Sequence, residues 1–335
     1  MTTLVWRTDL HLADQAPSSR KDDWAATLLD KIGQTGQIAR DCEASAIIDG
    51  GDFFHVKSPG RNSHALVRRV AEIHATFPCP TYVNVGNHDC VHGNYDYLHQ
   101  QPLGVLFATG VFNRLYDEHE AEIWSGGLED PVVRVVGIPY HGTSYDLERF
   151  KIERKGSEDF LVVAAHVLAS PRGGSMFEGE DIVKYADLPK LAPDVDVWCF
   201  GHWHKNQGIT CIRKAEDGVR PVHVVNVGSM TRGALVQDNL QRIPEAVVMK
   251  FTKEDGVLFR QVPLTVQPAM DVFDVESRAR QEARESHVEA YVEKLRTSLA
   301  PASDGALADE IRSMADVPDA VREQALHYLE QAGVR

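Results

Sequence analysis

An α/β fold of two packed mixed β-sheets flanked by helices, with a C-terminal helical appendage, is the class this sequence predicts, and three observations predict it. Over about the first 270 residues, short apolar β-branched runs alternate with amphipathic stretches, as strands alternate with helices in a layered domain. Five of those runs end in a cluster of Asp, Asn or His. After Pro268 the strand signals stop, and Ala, Glu, Arg and Leu recur at helical spacing.

In chain order, Leu4–Thr8 leads to Asp9-Leu10-His11, Ser45–Asp49 to Gly50-Gly51-Asp52, and Pro80–Val85 to Gly86-Asn87-His88-Asp89. Leu161–Ala165 leads to His166, and Asp196–Phe200 to Gly201-His202-Trp203-His204. Polar groups leaving the ends of sheet strands converge on one crevice, where open α/β sheets bind their ligands. Between the strands the spacing predicts helices over Asp22–Cys42, with Trp24, Leu28, Leu29 and Ile32 on one side, and over Ser63–Phe77, with Leu66, Val70 and Ile73. Val132–Ile138, Val222–Val227, Ala246–Phe251 and Val257–Val262 predict further strands, enough for a second sheet packed on the first. Strand order is not legible. The tail predicts a helix over Val275–Leu299 ended by Ala300-Pro301, then helices near Ala306–Met314 and Pro318–Gln331, the last stopped by Gly333. The expected organisation is a domain over residues 1–272 and a helical tail over 273–335.

A chain of 335 residues with 43% hydrophobic and 25% charged residues is long and apolar enough to bury a large core, which excludes a disordered or fibrous protein. No apolar run approaches a membrane span, and a strand-like Leu4-Val5-Trp6 stands where a leader would show a basic then an apolar stretch. The expectation is a cytoplasmic protein with no membrane partner. Five cysteines without Cys-x-x-Cys spacing fit free thiols better than a disulfide framework. The net charge of -14 opposes a nucleic-acid ligand, but it is unevenly placed. Residues 273–335 hold 13 acids and 8 bases, leaving -9 on residues 1–272, and two divalent cations would bring that to -5 with the positive charge at the site itself.

The polar clusters supply what a pair of hydrolytic cations requires: carboxylates to hold charge, imidazoles to complete each sphere, and one group to bridge. By the logic of a binuclear hydrolase, Asp52 bridges, one ion takes Asp9, His11 and His204, and the other takes Asn87, His166 and His202. Each fragment alone is more often a cap or a satisfied core residue. All five in this order are hard to obtain from packing. Two such cations roughly 3.5–4 Å apart activate a water and stabilise charge on an in-line phosphorus centre, so no nucleophilic side chain is needed.

The ordered blocks resemble the calcineurin-like metallophosphoesterase superfamily, whose fold is a four-layer sandwich, over about the first 270 residues. Thr8-Asp9-Leu10-His11-Leu12 and Gly51-Asp52-Phe53-Phe54-His55, followed by Lys57, Pro59 and Arg61, resemble the SbcD or meiotic-recombination (MRE) branch of DNA-repair nucleases. So does Asn226-Val227-Gly228-Ser229-Met230-Thr231-Arg232, although that branch commonly has proline where this chain has Val227.

The resemblance implies a Mn²⁺-dependent DNA exonuclease, with endonuclease activity as an extension, acting in repair or recombination. It implies that His88 stabilises the transition state or protonates the leaving 3′ oxygen and that His55 supports it. Asp89 is read as orienting a histidine or capping its loop. Lys57 and Arg61 are the candidate phosphate contacts, while Arg68 and Arg69 read as solvated helix charge. The tail lacks the strand pattern of the capping domain that many SbcD-like nucleases carry. It resembles instead the segment that grips an SbcC-type ATPase, with Val288, Val292, Leu295, Ile311, Leu326 and Leu329 as apolar positions; packing on the chain's own domain is the alternative, and a homodimer stays open. Compact and without that cap, the chain suits a phage-encoded or otherwise minimal homologue. Two other functions stay open: a small-substrate or cyclic-nucleotide phosphodiesterase, favoured by the acidic balance, and a non-catalytic assembly subunit with a vestigial site, opposed by the intact ligand set.

Overall fold

The computed structural model describes residues 1–56, 62–91, 94–173, 179–214, 220–275, 306–315 and 317–331. Two compact units divide the chain, Met1–Asp274 and Val275–Arg335.

The first unit contains strands β1 Thr2–Arg7, β2 Ala46–Asp49, β3 Thr81–Val83, β4 Asn113–Arg114, β5 Glu120–Ile123, β6 Val133–Ile138 and β7 Phe160–His166. These are followed by β8 Ala169–Ser170, β9 Val183–Lys184, β10 Val197–Gly201, β11 Gly208–Arg213, β12 Val222–Asn226, β13 Glu245–Thr252 and β14 Gly256–Pro263. One six-stranded sheet has the order β14-β13-β1-β2-β3-β4 and the other β11-β12-β10-β7-β6-β5, with β8 and β9 as a separate pair. Both large sheets are mixed. β1, β2, β3 and β4 run parallel while β13 and β14 are antiparallel, and β6, β7, β10 and β12 run parallel between antiparallel β11 and β5.

Alternation along β1 decides the layering, because successive side chains point to opposite faces. Leu4 and Trp6 join Ile48 and Met249 against Val135, Val162, Cys199 and Val225 of the second sheet, forming the core between the sheets. Val5 faces the other way with Ile47 and Val248, toward Ala39 of helix α1 (Trp24–Asp41). Trp24, Leu28 and Ile32 of α1 and Leu66 and Val70 of helix α2 (His64–His74) complete that outer layer with Phe53 and Phe54. On the second sheet Leu161, Val163, Trp198 and Phe200 are covered by Tyr145, Phe150 and Leu188. These are the predicted two mixed sheets flanked by helices.

Nine predicted strands recur within a residue or two of the expected bounds. β5 and β11, which close the two edges of the second sheet, were not predicted, nor were the two-residue strands β4, β8 and β9. Helix α1 starts two residues later than the spacing suggested. The Asp22 carboxylate is taken by Arg20 at 2.6 and 2.7 Å and by the Thr27 hydroxyl at 2.7 Å, so Asp23 caps the helix by accepting from the Ala26 amide.

The first sheet and its helices are tied by Arg7, whose Nε donates to Asp49 Oδ2 at 2.7 Å and whose terminal nitrogens reach Thr35 Oγ1 at 2.9 Å and His74 Nε2 at 3.0 Å. His74 Nδ1 lies 2.9 Å from the Val70 carbonyl, so this imidazole donates there and accepts from Arg7, which requires the neutral ring. Burial first, then the Arg7 charge, pushes its pKa down to about 3. The unfolded chain therefore binds a proton that the folded chain refuses. Stability is expected to fall as pH drops from about 6.5 toward 3, through this residue among others, and His74→Gln is expected to flatten that slope in denaturant titrations.

In the second unit, helices cover Ala306–Ser313 and Asp319–Gln331. The helix expected over Val275–Leu299 lies, beyond Val275, outside the described residues. Among the described residues no helix is long and apolar enough to cross a membrane.

Candidate active site

The polar clusters leave neighbouring strand ends and are stitched together by backbone hydrogen bonds. Beyond β1 and β2 the chain continues as a short ladder: Asp9 N donates to Gly51 O, His11 N to Asp52 O, Leu12 N to Phe53 O and His55 N to Leu12 O, all between 2.8 and 3.0 Å. Val56 N donates to His88 O at 2.8 Å, joining the β3 loop to the β2 loop. From the second sheet, His166 ends β7 directly beside Gly201 at the end of β10.

This convergence strains the backbone at the predicted ligands. Asp9, His11, Asp52 and His202 all have left-handed φ, at 56°, 53°, 53° and 83°. Such a conformation costs an L-residue of order 1 kcal/mol or more, and it persists where surrounding structure over-determines it. Gly86 shows why glycine precedes Asn87: a Cβ there would sit 2.1 Å from Asp52 Oδ1. Gly228, at φ 72°, presses on His204, whose carbonyl oxygen would be 2.2 Å from a Cβ.

Six of the seven predicted ligands fall into two groups of ligand atoms. Asp9, His11, Asp52 and His204 form one, and Asp52, His166 and His202 form the other, so Asp52 is common to both. In the first, His11 Nε2 lies 2.8 Å from His204 Nε2 and 3.7 Å from Asp52 Oδ2, while His204 Nε2 is 3.6 Å from Asp9 Oδ1. Two imidazole nitrogens that close, with carboxylate oxygens around them, are the arrangement of donors turned toward a cation. In the second, His166 Nε2 stands 3.3 Å from Asp52 Oδ2. Asn87, the seventh, carries a buried Oδ1 that accepts no hydrogen bond among the described residues, as do the buried Asp52 Oδ2 and His166 Nε2. Buried polar atoms are rarely left so. With oxygen and imidazole donors and no thiolate, the set fits two divalent cations.

The electrostatics agree with the geometry. Burial acts first on Asp52 and would raise its pKa, but His166 and His11 outweigh it and hold the carboxyl well below its usual range. His166, against its own burial, is pushed up to about 10 by the Asp52 charge. Its Nδ1 lies 2.9 Å from the Gly50 carbonyl, which fixes the tautomer and aims Nε2 at Asp52, where a bound cation would replace the proton. Burial drives His11 the other way, well below the imidazole range, helped by the neighbouring imidazoles.

Around these groups stand partners that orient them. Asp9 accepts from the Thr8 hydroxyl at 2.8 Å and from the His202 amide at 3.0 and 3.1 Å, while its carbonyl accepts the Ser229 hydroxyl at 2.7 Å. Ser229 of the Gly-Ser element thus props the loop that carries Asp9 and His11. Asp89 caps a loop rather than orienting a histidine: fully buried, it accepts from the amides of Asp52, Phe54 and Gly86 at 2.8, 2.8 and 2.9 Å.

Sequence reasoning missed Glu180. Its Oε1 lies 2.9 Å from His202 Nε2, so that nitrogen carries a proton and the carboxylate fixes how the ring is presented to Asp52 and His166. The Tyr145 hydroxyl, 2.8 Å away, holds the carboxylate. No strand-end motif or fixed spacing marks Glu180. His55 and His88 lie beside the first group, their rings stacked at 4.5 Å, with His88 edge-on to His11 at 4.7 Å. With His11 they form a third cluster of ligand-type atoms, one without a carboxylate. Lys57 and Arg61 fall outside the described residues. Arg68 is exposed and pairs with Glu72 along α2 at 2.7 Å, as solvated helix charge does.

The calcineurin-like phosphoesterase family model matches residues 4–206, the span that carries all seven candidate ligands. Among solved structures the chain is similar to a dimetal phosphatase from Danio rerio, at 10% identity and a TM-score of 0.48, over 79% of this chain and 99% of that one. It is also similar to TT1561 of Thermus thermophilus, at 11% identity and a TM-score of 0.43, over 78% of this chain and 98% of that one. No curated protein matches. The match over residues 4–206, on a sandwich whose strand ends gather these acids and imidazoles, shows that the chain belongs to the calcineurin-like phosphoesterases, metal-dependent hydrolases of phosphoester bonds.

Proposed function

We propose that this chain is a two-metal phosphodiesterase of the SbcD/MRE type, a DNA nuclease working with Mn²⁺. The observation that carries this reading is the stacked His55–His88 pair, which lies against His11 of the first ligand group yet is a member of neither group that shares Asp52. A phosphodiester leaving group is a poor one, and an imidazole placed next to the cluster is suited to protonate it. When bound, the cations supply a water of lowered pKa and neutralise charge on the phosphorus oxygens. The chain's own residues do the rest. Asp52 holds the two halves of the site in register, Asp9 and Glu180 fix His202 from its backbone and ring sides, and His88 delivers its proton while His55 holds its ring. The helical unit holds an ATPase subunit in this proposal through the partly exposed Leu326 and Leu329, whereas Ile311, expected among these positions, is buried within the chain.

His88→Gln is expected to retain two ions per chain and DNA affinity while kcat falls about 10²–10⁴-fold, the usual weight of a general acid. Metal analysis alongside single-turnover kinetics checks this, and loss of an ion would instead make His88 a ligand of the three-imidazole cluster. The substrate is tested by offering linear DNA, hairpin DNA and a chromogenic phosphodiester to the Mn²⁺-loaded protein. Degradation of DNA is expected. Efficient cleavage of the small diester alone would favour the second reading, a small-substrate phosphodiesterase, which the net charge of -9 on residues 1–272 supports.

A further inference from the structure

The segment after β12 faces two places. Ser229 and Met230 bond the backbone of Asp9 and Thr8, whereas Thr231 and Arg232 line a partly open cavity of about 240 Å³ between the first turns of α1 and residues 265–267. Lys31 and Arg232 face that cavity, only 4% and 6% exposed. Among the described residues, neither reaches a carboxylate within ion-pair distance. The Lys31 ammonium has one long contact, 3.4 Å to the Thr265 carbonyl, and Arg232 donates to the Gln267 carbonyl at 2.6 Å.

Other charges nearby are already matched. Arg20 is held by Asp22 through two hydrogen bonds and lies over the rings of Trp24 and Phe273. Asp30 is the one carboxylate among the described residues lining the cavity, and it is exposed and taken by the Gln34 amide at 2.7 Å. Asp30 and Asp22 act on Lys31 and Arg232 only from beyond ion-pair distance, and two buried cations on one cavity without a contacting carboxylate are costly. Burial first, then the neighbouring Arg232, pushes Lys31 down to about 8.

We propose that this cavity is a binding site for a small divalent oxyanion of the phosphate class, held between the Lys31 ammonium and the Arg232 guanidinium. A phosphate oxyanion supplies the counter-charge both groups lack, and the guanidinium fork can grip two of its oxygens. The volume suits it, since about 150 Å³ already accommodates a benzene molecule. The site is separate from the metal cluster in its residues and needs no cation.

The test is calorimetric titration of inorganic phosphate into the full chain after chelation, so that the metal cluster cannot take the anion. One phosphate per chain is expected, with a Kd below about 1 mM and accompanying thermal stabilisation. Arg232→Gln and Lys31→Met are each expected to weaken it by about tenfold or more. Lys31→Met keeps the length of the stem and removes an unmatched buried charge, so its Tm without phosphate should equal or exceed that of the parent. Asp52→Asn should bind phosphate as the parent does. Absence of binding by the folded parent, or affinity unchanged in both cavity variants, would overturn the proposal, as would loss of binding in Asp52→Asn.

Discussion

Asp52→Asn is expected to cut phosphodiester hydrolysis on the order of 10³-fold and to lower the metal content below two ions per chain. The carboxylate belongs to both ligand groups, and its Oδ1 also accepts the His88 amide at 2.7 Å. An amide in its place keeps the volume and presents one oxygen instead of two, with no charge to offset either cation. The stability signature should move with it. An ion bound only by the folded chain stabilises by about 2.7 kcal/mol when present at 100 times its Kd. Chelation should therefore lower the Tm of the parent clearly and that of the variant much less, read by thermal scans with and without metal.

Asp89→Ala is expected to destabilise the chelated protein by about 4 kcal/mol or more, because it strips the acceptor from three buried amides at once. Asp89→Asn, with one oxygen left, should cost roughly half as much. Both should also impair hydrolysis, since the amides released belong to Asp52 itself, to Phe54 and to Gly86, the hinge points of the β2 and β3 loops. Denaturation midpoints measured in chelator separate the structural effect from the loss of metal. An unchanged midpoint in Asp89→Ala would show that the three hydrogen bonds do not hold these loops.

The layered fold was legible because its central strands are apolar, valine-rich runs, such as the unbroken Leu161–Ala165 and the nearly unbroken Val222–Val227, bounded by polar residues. The edges were not. β11 alternates Ile209 and Cys211 with Thr210 in a half-exposed strand, and β5 is four residues of mixed polarity, so only pairing with β12 and β6 defines them. Strand order depends on contacts far apart in sequence, such as β1 lying between β13 and β2, and no local pattern records it.

The candidate ligands were legible for a related reason: each lies at a strand end or within four positions beyond it, where the sheet places the short loop that carries it. Glu180 lies in the connection from β8 to β9, where nothing regular fixes its direction, and its partner His202 is reached only through the fold. Asp89 shows the opposite limit. Its place in the Gly-Asn-His-Asp block was visible, but that it serves backbone amides rather than an imidazole depends on how the β2 and β3 loops cross. Lys31 was invisible as well, since a lysine inside an amphipathic helix reads as solvated charge until burial is known.

Central to this account is a pair of cations sharing Asp52, and anomalous diffraction from crystals of the full chain grown with Mn²⁺ tests it most directly. Two peaks are expected, roughly 3.5–4 Å apart on either side of the Asp52 carboxylate, one against Asp9, His11 and His204 and the other against Asn87, His166 and His202. A single peak, or a second ion held by His55 and His88 instead of the His166 group, would contradict it.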